Sequence, residues 1–291
     1  MQDTRKEVDK MKNTMKKPGA IPGEKLRPFA GHPFKVKDDE EMNTLIESIQ
    51  TQGILSPLIV RPIENTDEYE VISGHRRLHA AQKAGISEVP ALIYALDRDA
   101  AVIAVVDSNI HREHILSSEK AFAYKMKYEA MKHQGTSCQL GTKLRTDEQI
   151  AEKANDSARQ IQRYIRLTHL IPELLEFMDE NRMALSVGVE LSFLDEQSQY
   201  DVLEQCEIND CTPSYAQAVR MRKAFSNSVL TADMIRSIMS EEKANQRETV
   251  KIPTEKLRKF APGADLRQLE DFILKACEHY RKYLIRQHDV R

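Results

Sequence analysis

Three residues of one short corner carry the clearest chemistry. In the run YEVISGHRRLHAAQKAG, Tyr69 to Gly85, Gly74 precedes Arg76 and Arg77 where a β-rich segment gives way to a helix-forming one. Glycine lets backbone N–H groups come close to a ligand, a helix start adds its positive dipole end, and two guanidinium forks sit beside it. Such a corner favours an anion, most naturally a phosphate chain, although a plain strand-to-helix turn with two solvated arginines fits the same spacing. Two further stretches could join it. Gly53 to Arg61 is a helix stop followed by a strand, which leaves a loop with Ser56 and Pro57, and the arginine Arg61, to face a ligand. Asp107-Ser108-Asn109-Ile110-His111-Arg112 gathers a carboxylate, an amide and an arginine at a helix end, where an Asp or Asn oxygen beside a triphosphate can hold Mg2+. Ordinary surface polarity accounts for both stretches as well.

A second cationic constellation lies between residues 146 and 170. Thr146 with Gln149, and Ser157 with Gln160, have capping-box spacing, so two helices should start there, separated by Asn155 and Asp156. Asparagine tolerates the left-handed backbone that a sharp helix–helix turn needs. Ile150, Ala151 and Ala154 give the first helix an apolar face, and Ile161, Tyr164, Ile165 and Thr168 give the second its own. Arg159, Gln162, Arg163 and Arg166 then form one outward stripe at i, i+3, i+4 and i+7, with no acid from Ser157 to Leu170. Arginine forks onto guanine and glutamine pairs with adenine, so this helix-turn-helix reads as a double-stranded DNA binder, with Ser157 and Gln160 at the entry of the reading helix.

These residues need a scaffold, and the chain has the length for one. It has 291 residues, enough for two or three domains, with 41% hydrophobic and 30% charged residues and no Trp. Alternating patterns predict a strand over 21–27, a helix over 38–52, strands over 58–62 and 69–73, a helix over 76–84, a strand over 89–95 and a helix over 98–110. That is a small α/β unit. An amphipathic helix from Ser117, with Ala121, Tyr124, Tyr128 and Met131 on one face, opens an all-helical module; the insert 136–145 has no assignment. The expected organisation is a flexible basic tail over 1–20, the α/β domain over 21–112, the DNA-binding domain over 113–212, and a mainly helical C-terminal region over 213–291. The net charge is −2, but residues 111–170 hold 11 Lys/Arg against 7 Asp/Glu, while residues 173–211 hold 1 against 11. A basic middle beside an acidic block suits one module meeting a polyanion. Cys138, Cys206, Cys211 and Cys277 have no metal-ligand spacing and read as reduced thiols. Without an apolar span or signal region, the expected location is cytoplasmic, away from membranes.

The order of G-I-L-S-P-L-I-V-R, S-G-H-R-R-L-H-A-A-Q-K-A-G, V-P-A-L-I and D-S-N-I-H-R-E resembles the N-terminal domain of the ParB family of chromosome and plasmid partition proteins. The later helices, I-P-E-L-L-E-F-M and A-L-S-V-G-V-E-L-S-F-L, extend that resemblance to about Leu203. It implies an α+β fold: a ParB/sulfiredoxin-like α/β domain, then an all-helical helix-turn-helix domain and a mainly helical C-terminal region. It also implies CTP and Mg2+ as ligands, a homodimer, a ParA-type ATPase as partner and a nucleoid-associated location. Carried onto this chain, Gly74, His75, Arg76 and Arg77 would hold the triphosphate, Ser56 and Pro57 would lie near the base, and Asn109 would ligate the metal. Arg112 matches the last arginine of the third motif. Two departures stand out: His75 replaces a glutamate, and Ser108 replaces the glutamate that the family associates with hydrolysis. Serine cannot orient an attacking water as a carboxylate does, and Asp107 is turned about 100° away on a helix. CTPase activity should therefore be weak or absent.

Sulfiredoxin shares the domain but places a cysteine before its His-Arg pair; here Ser73 and Gly74 occupy those positions, which excludes that reductase. The expected function is partition of a chromosome, plasmid or integrative mobile element. A helix-turn-helix transcriptional regulator with a vestigial pocket, and a nucleotidase or nuclease using Asp107 to Arg112, are the alternatives. In the last helix, Leu266, Leu269, Ile273, Ala276, Tyr280 and Tyr283 or Leu284 offer a face for dimerisation.

Overall fold

The computed structural model describes residues 15–112, 114–134, 145–241, 254–263 and 265–288. The fold is α+β. Five strands form one mixed sheet: β1 (Met15–Pro22), β2 (Leu26–Pro28), β3 (Leu58–Pro62), β4 (Tyr69–Ser73) and β5 (Glu88–Tyr94), in the order β1-β5-β3-β4-β2. β5 runs antiparallel to β1 and parallel to β3, while β4 runs antiparallel to β3 and parallel to β2. The helices of this part are α1 (Glu40–Gln52), α2 (His75–Lys83) and α3 (Arg98–Asn109).

Alternation along the strands sorts side chains to two buried faces. Leu58, Val60 and Val71 pack with Leu78 and Ala81 of α2, and Ile59 and Ile72 face Ala101, Val102 and Val105 of α3. With both faces covered, the central strands bury side chains on either side, apolar ones for the most part, with Arg61 and Glu70 as a paired exception. Each fully buried aliphatic side chain contributes about 1.5–3 kcal/mol. α1 lies against α2 through Met42, Ile49 and Ala80. Its cap is Asp39, whose carboxylate accepts from the Met42 N–H at 2.9 Å, one residue later than the helix start expected at 38.

Two boundaries differ from the sequence reading. β1 begins at Met15, inside the segment expected to be a flexible tail, and pairs with β5 from Met15↔Tyr94 to Pro22↔Glu88. The helical module comprises α4 (Ser117–Gln134), α5 (Thr146–Lys153), α6 (Ala158–Leu167), α7 (Pro172–Asp179), α8 (Leu185–Leu191), α9 (Glu196–Ile208), α10 (Tyr215–Ser226) and α11 (Ala232–Ser240). α10 and α11, expected in a C-terminal region from residue 213, instead contribute Ala218, Met221, Ile235, Ile238 and Met239 to the core formed by Leu174, Val187, Leu191 and Val202. The first compact unit therefore extends to Ser240, and a second spans Glu241–Arg291. In the second, α12 (Thr254–Arg258) precedes α13 (Leu266–His288), along which Leu269 is buried while Leu274 and Tyr280 are exposed. The side chains of Leu266, Tyr283 and Leu284 lie outside the described residues, as do Cys138 and most of the insert 136–145. Among the described residues no helix is long and apolar enough to cross a membrane.

Candidate functional site

Gly74 caps α2 in a left-handed conformation, φ 108° and ψ 25°, and its carbonyl accepts from the Leu78 N–H at 2.9 Å. A Cβ there would sit 2.9 Å from Leu58 Cγ and 3.2 Å from Arg77 Nη2, so conformation and space both demand glycine. Arg77 folds back over this position, and its Nη1 donates to the Pro57 carbonyl at 3.0 Å and to that of Ser56. Burial lowers the proton affinity of its guanidinium. Arg76 points toward the start of α1, 3.2 Å from a Glu41 carboxylate oxygen and 3.7 Å from one of Asp39.

His75 is the first residue of α2. Its Nε2 accepts from the Phe29 N–H at 3.2 Å, which places the ring proton on Nδ1. The ring stacks on His32 with centroids 3.7 Å apart and an interplanar angle of 37°. Burial first, then His32 and Arg112, push the His75 pKa down to about 3. His32 Nδ1 lies 2.7 Å from the Phe34 carbonyl, and its buried Nε2 has no hydrogen-bond partner. Burial lowers the His32 pKa too, with Arg112 contributing in the same direction. Arg112 is exposed, and its proton affinity is lowered by partial desolvation and then by Arg76, while Glu119 opposes. The third motif thus reaches the glycine corner through its last arginine.

A buried carboxylate holds the loop that supplies Phe29 and His32. Glu70 Oε1 accepts from the Ala30 N–H at 2.8 Å and from Arg98 Nη1 at 2.7 Å, and Oε2 accepts from Arg61 Nε at 2.7 Å. Arg98 also lies 4.2 Å from the centroid of the Phe29 ring. Arg61 is therefore an anchor of the sheet and loop, and the expectation that it faces a ligand is corrected. Its position in β3 puts it on the face of Ile59, where Glu70 holds it. Glu119, at the start of α4, binds the same loop further on, accepting from the N–H groups of Lys35 at 2.8 Å and Leu116 at 3.2 Å. The sequence reading missed Glu70, Glu119 and His32. The contacts that matter here, Glu70 with Ala30, Glu119 with Lys35 and His32 with His75, join residues 40 or more positions apart, so no local pattern signals them.

Asn109 is buried, and its amide N–H groups donate to the Val105 carbonyl at 2.7 Å and to Ser108 Oγ at 3.1 Å. Its remaining polar atom is the carbonyl oxygen, a hard donor suited to Mg2+. Among the described residues no group of three or more His, Cys, Asp or Glu side chains could hold a metal alone. One amide oxygen fits Mg2+ only when substrate phosphates and water complete its octahedron, which is how this ion is commonly held. Asp107, by contrast, is paired with Lys127 of α4, an ammonium almost wholly buried. The corner thus joins Ser56, Pro57, Gly74 and Arg77 by contact, with His75 and Arg76 next along α2; Arg112 acts on His75 and Arg76 electrostatically, and Asn109 lies one turn before it.

The second constellation divides on inspection. Ser157 caps α6, its hydroxyl accepting from the Gln160 N–H at 3.3 Å as the spacing predicts. α5 is capped differently: the Arg145 N–H donates to Glu148 at 2.8 Å, the reciprocal half of a capping box placed one residue before the one expected for Thr146 and Gln149. Asn155 is not left-handed; the break is made by Ala154 in extended conformation, φ −106° and ψ 159°. Asp156 fixes the turn by accepting from the Tyr124 hydroxyl at 2.7 Å and from Lys120 Nζ at 3.3 Å. The inner face forms as expected, with Ile150 and Ile161 packed on Tyr124. Of the stripe, Arg159 is exposed and Arg163 donates to Gln160 at 3.1 Å. Gln162 is tied to Asp147 at 3.2 Å, and Arg166 to the Ser192 carbonyl at 2.6 Å. The open cationic surface therefore concentrates at the start of α6.

A family model described as the ParB N-terminal domain matches residues 4–110. The chromosome-partitioning protein Spo0J of Thermus thermophilus is 30% identical over 207 residues, covering 71% of this chain and 71% of its own length. A probable chromosome-partitioning protein ParB of Coxiella burnetii is 30% identical over 158 residues, which is 54% of this chain and 50% of that protein. Among solved structures, the C-terminally truncated ParB of Caulobacter crescentus, complexed to the centromeric parS site, is 22% identical with a TM-score of 0.43; the match covers 76% of this chain and 98% of that one.

Proposed function

Because this chain belongs to the ParB family, we propose that it is a DNA-binding partition protein that also takes CTP with Mg2+ at the Gly74 corner. It would bind a specific duplex site through α6 and support segregation or maintenance of a chromosome, plasmid or integrative mobile element. A homodimer, a ParA-type ATPase as partner and a nucleoid-associated place in the cytoplasm complete the proposal. The observation that supports it is the pair Arg76 and Arg77 behind a left-handed glycine that starts a helix, with Arg112 near enough to act on Arg76 electrostatically, in the same compact unit as a capped helix-turn-helix.

The chain's own groups would act as follows. The N-terminal N–H groups of α2 and the three guanidiniums bind the triphosphate, with Arg76 leaving Asp39 and Glu41 for phosphate. Ser56 and Pro57, held by Arg77, border the base. Asn109 offers its carbonyl oxygen to the metal, which when bound screens the phosphate charge. The neutral His75 keeps a further positive charge away from the three arginines. Neither Ser108 nor Asp107 is poised to orient water: Ser108 Oγ donates to the Val105 carbonyl at 3.0 Å, and Asp107 is committed to Lys127. Hydrolysis should accordingly be slow or absent.

Titration of labelled CTP, ATP, GTP and UTP, with and without duplex DNA, tests the reading. CTP should bind tightest and its affinity should change when DNA is present. DNA binding indifferent to every nucleotide would overturn the CTP assignment and favour a regulator with a vestigial pocket, and rapid product release would favour an enzyme.

A further inference from the structure

Arg166 ends the stripe on α6, yet it does not stand free. Its Nη2 and Nε donate to the Ser192 carbonyl at 2.6 Å and hydroxyl at 3.2 Å, and its Cζ lies 4.1 Å from the centroid of the Phe193 ring. Arg222, brought from α10, has its Cζ 3.5 Å from the same centroid. Its Nη1 donates to Glu190 at 3.0 Å. Two guanidiniums thus share one aromatic ring with one carboxylate between them, which leaves an excess of positive charge. Burial first, and then the neighbouring Arg222, lower the proton affinity of Arg166. Stacking fixes each guanidinium plane while leaving edge N–H donors for an anion, the arrangement in which arginine forks onto phosphate.

Position along the helix separates these residues from Arg159 and Arg163. Seven residues of helix span about 10 Å, so Arg166 sits that far from Arg159 along the axis. In a helix-turn-helix the N-terminal residues of the second helix reach base edges, whereas its far end lies toward the sugar-phosphate backbone. We propose that Arg166 and Arg222, held together on Phe193, form an anchor for the DNA phosphate backbone beside the bases read by the start of α6. The inference rests on the DNA-binding reading above and deepens it: Arg166 is moved from base reading to phosphate holding, and a residue from outside the helix-turn-helix is added.

The test measures binding of the full chain to a labelled random-sequence duplex, and to a duplex enriched by the parent protein from a random pool, over a series of KCl concentrations. Arg222→Gln should weaken both duplexes alike and reduce the slope of log K against log [KCl] by about one unit. Arg222→Lys, which keeps the charge, should retain the parent slope, and circular dichroism should show both variants folded. An unchanged slope in folded Arg222→Gln would overturn the anchor, as would Arg222→Lys losing as much as Arg222→Gln. If the parent binds both duplexes and Arg222→Gln binds them as the parent does, only the anchor falls. If the parent binds neither, the DNA reading falls with it.

Discussion

His75 gives the structure a pH dependence whose size can be worked out. In the fold its Nε2 must accept the Phe29 N–H, and its ring is buried and stacked on His32 with Arg112 adding positive charge, so the imidazole is neutral, its pKa pushed down to about 3. In the unfolded chain the ordinary value is about 6.5. Between those values the unfolded state binds a proton that the folded state refuses, so stability rises with pH across that window. The contribution is complete above about 6.5 and is lost as the pH falls toward 3. At about pH 5 the gap of roughly 1.5 units amounts to about 2 kcal/mol. Urea unfolding followed by far-UV circular dichroism, at about pH 7.5 and about pH 5, should show the parent losing about 2 kcal/mol more than His75→Gln. His32, also shifted down, acts in the same direction and remains in the variant, so it does not cancel the difference. Equal losses in the two proteins, or an NMR titration placing His75 near 6.5, would refute the reasoning.

Gly74→Ala should destabilise the chain by on the order of 1–3 kcal/mol, because it adds a left-handed strain and a Cβ at 2.9 Å from Leu58, and it should weaken CTP binding in the same titration. Asp107→Asn leaves the buried Lys127 without its counter-charge and, because Asp107 itself is partly solvated, should cost on the order of 1–3 kcal/mol by denaturant unfolding. Arg163→Ala should cost about 1–3 kcal/mol on a duplex enriched by the parent but much less on random sequence, as measured by anisotropy at matched salt.

Much of the α/β part was readable because its punctuation is strong. Pro57 and Gly74 bracket strands whose alternation leaves little choice, and β3 and β4 fall at 58–62 and 69–73 as expected. β1 was not readable: its sequence, MKKPGAIP, contains two prolines, a glycine and two lysines, which signal a tail. As an edge strand it pairs on one side only, and its register slips between Lys16 and Gly19, which is where such residues are tolerated. The corner's charged residues were legible as a motif, but their partners were not. Arg61 looked available because its captor, Glu70, sits on the neighbouring strand, a relation that only strand pairing creates. Likewise, helical spacing put Arg166 on the outward stripe, but Ser192 and Phe193, which claim it, come from the loop after α8.

The Asp156 turn has a consequence for dissection of the molecule. Its carboxylate is gripped by Tyr124 and Lys120, two residues of α4 that precede Asp156 by 32 and 36 positions. The pitch at which α6 is presented is thus set by a strut outside the two helices themselves. A graft of residues 146–170 onto another scaffold would carry the cationic letters without the bracket that aims them, whereas a graft starting at Ser117 would bring both.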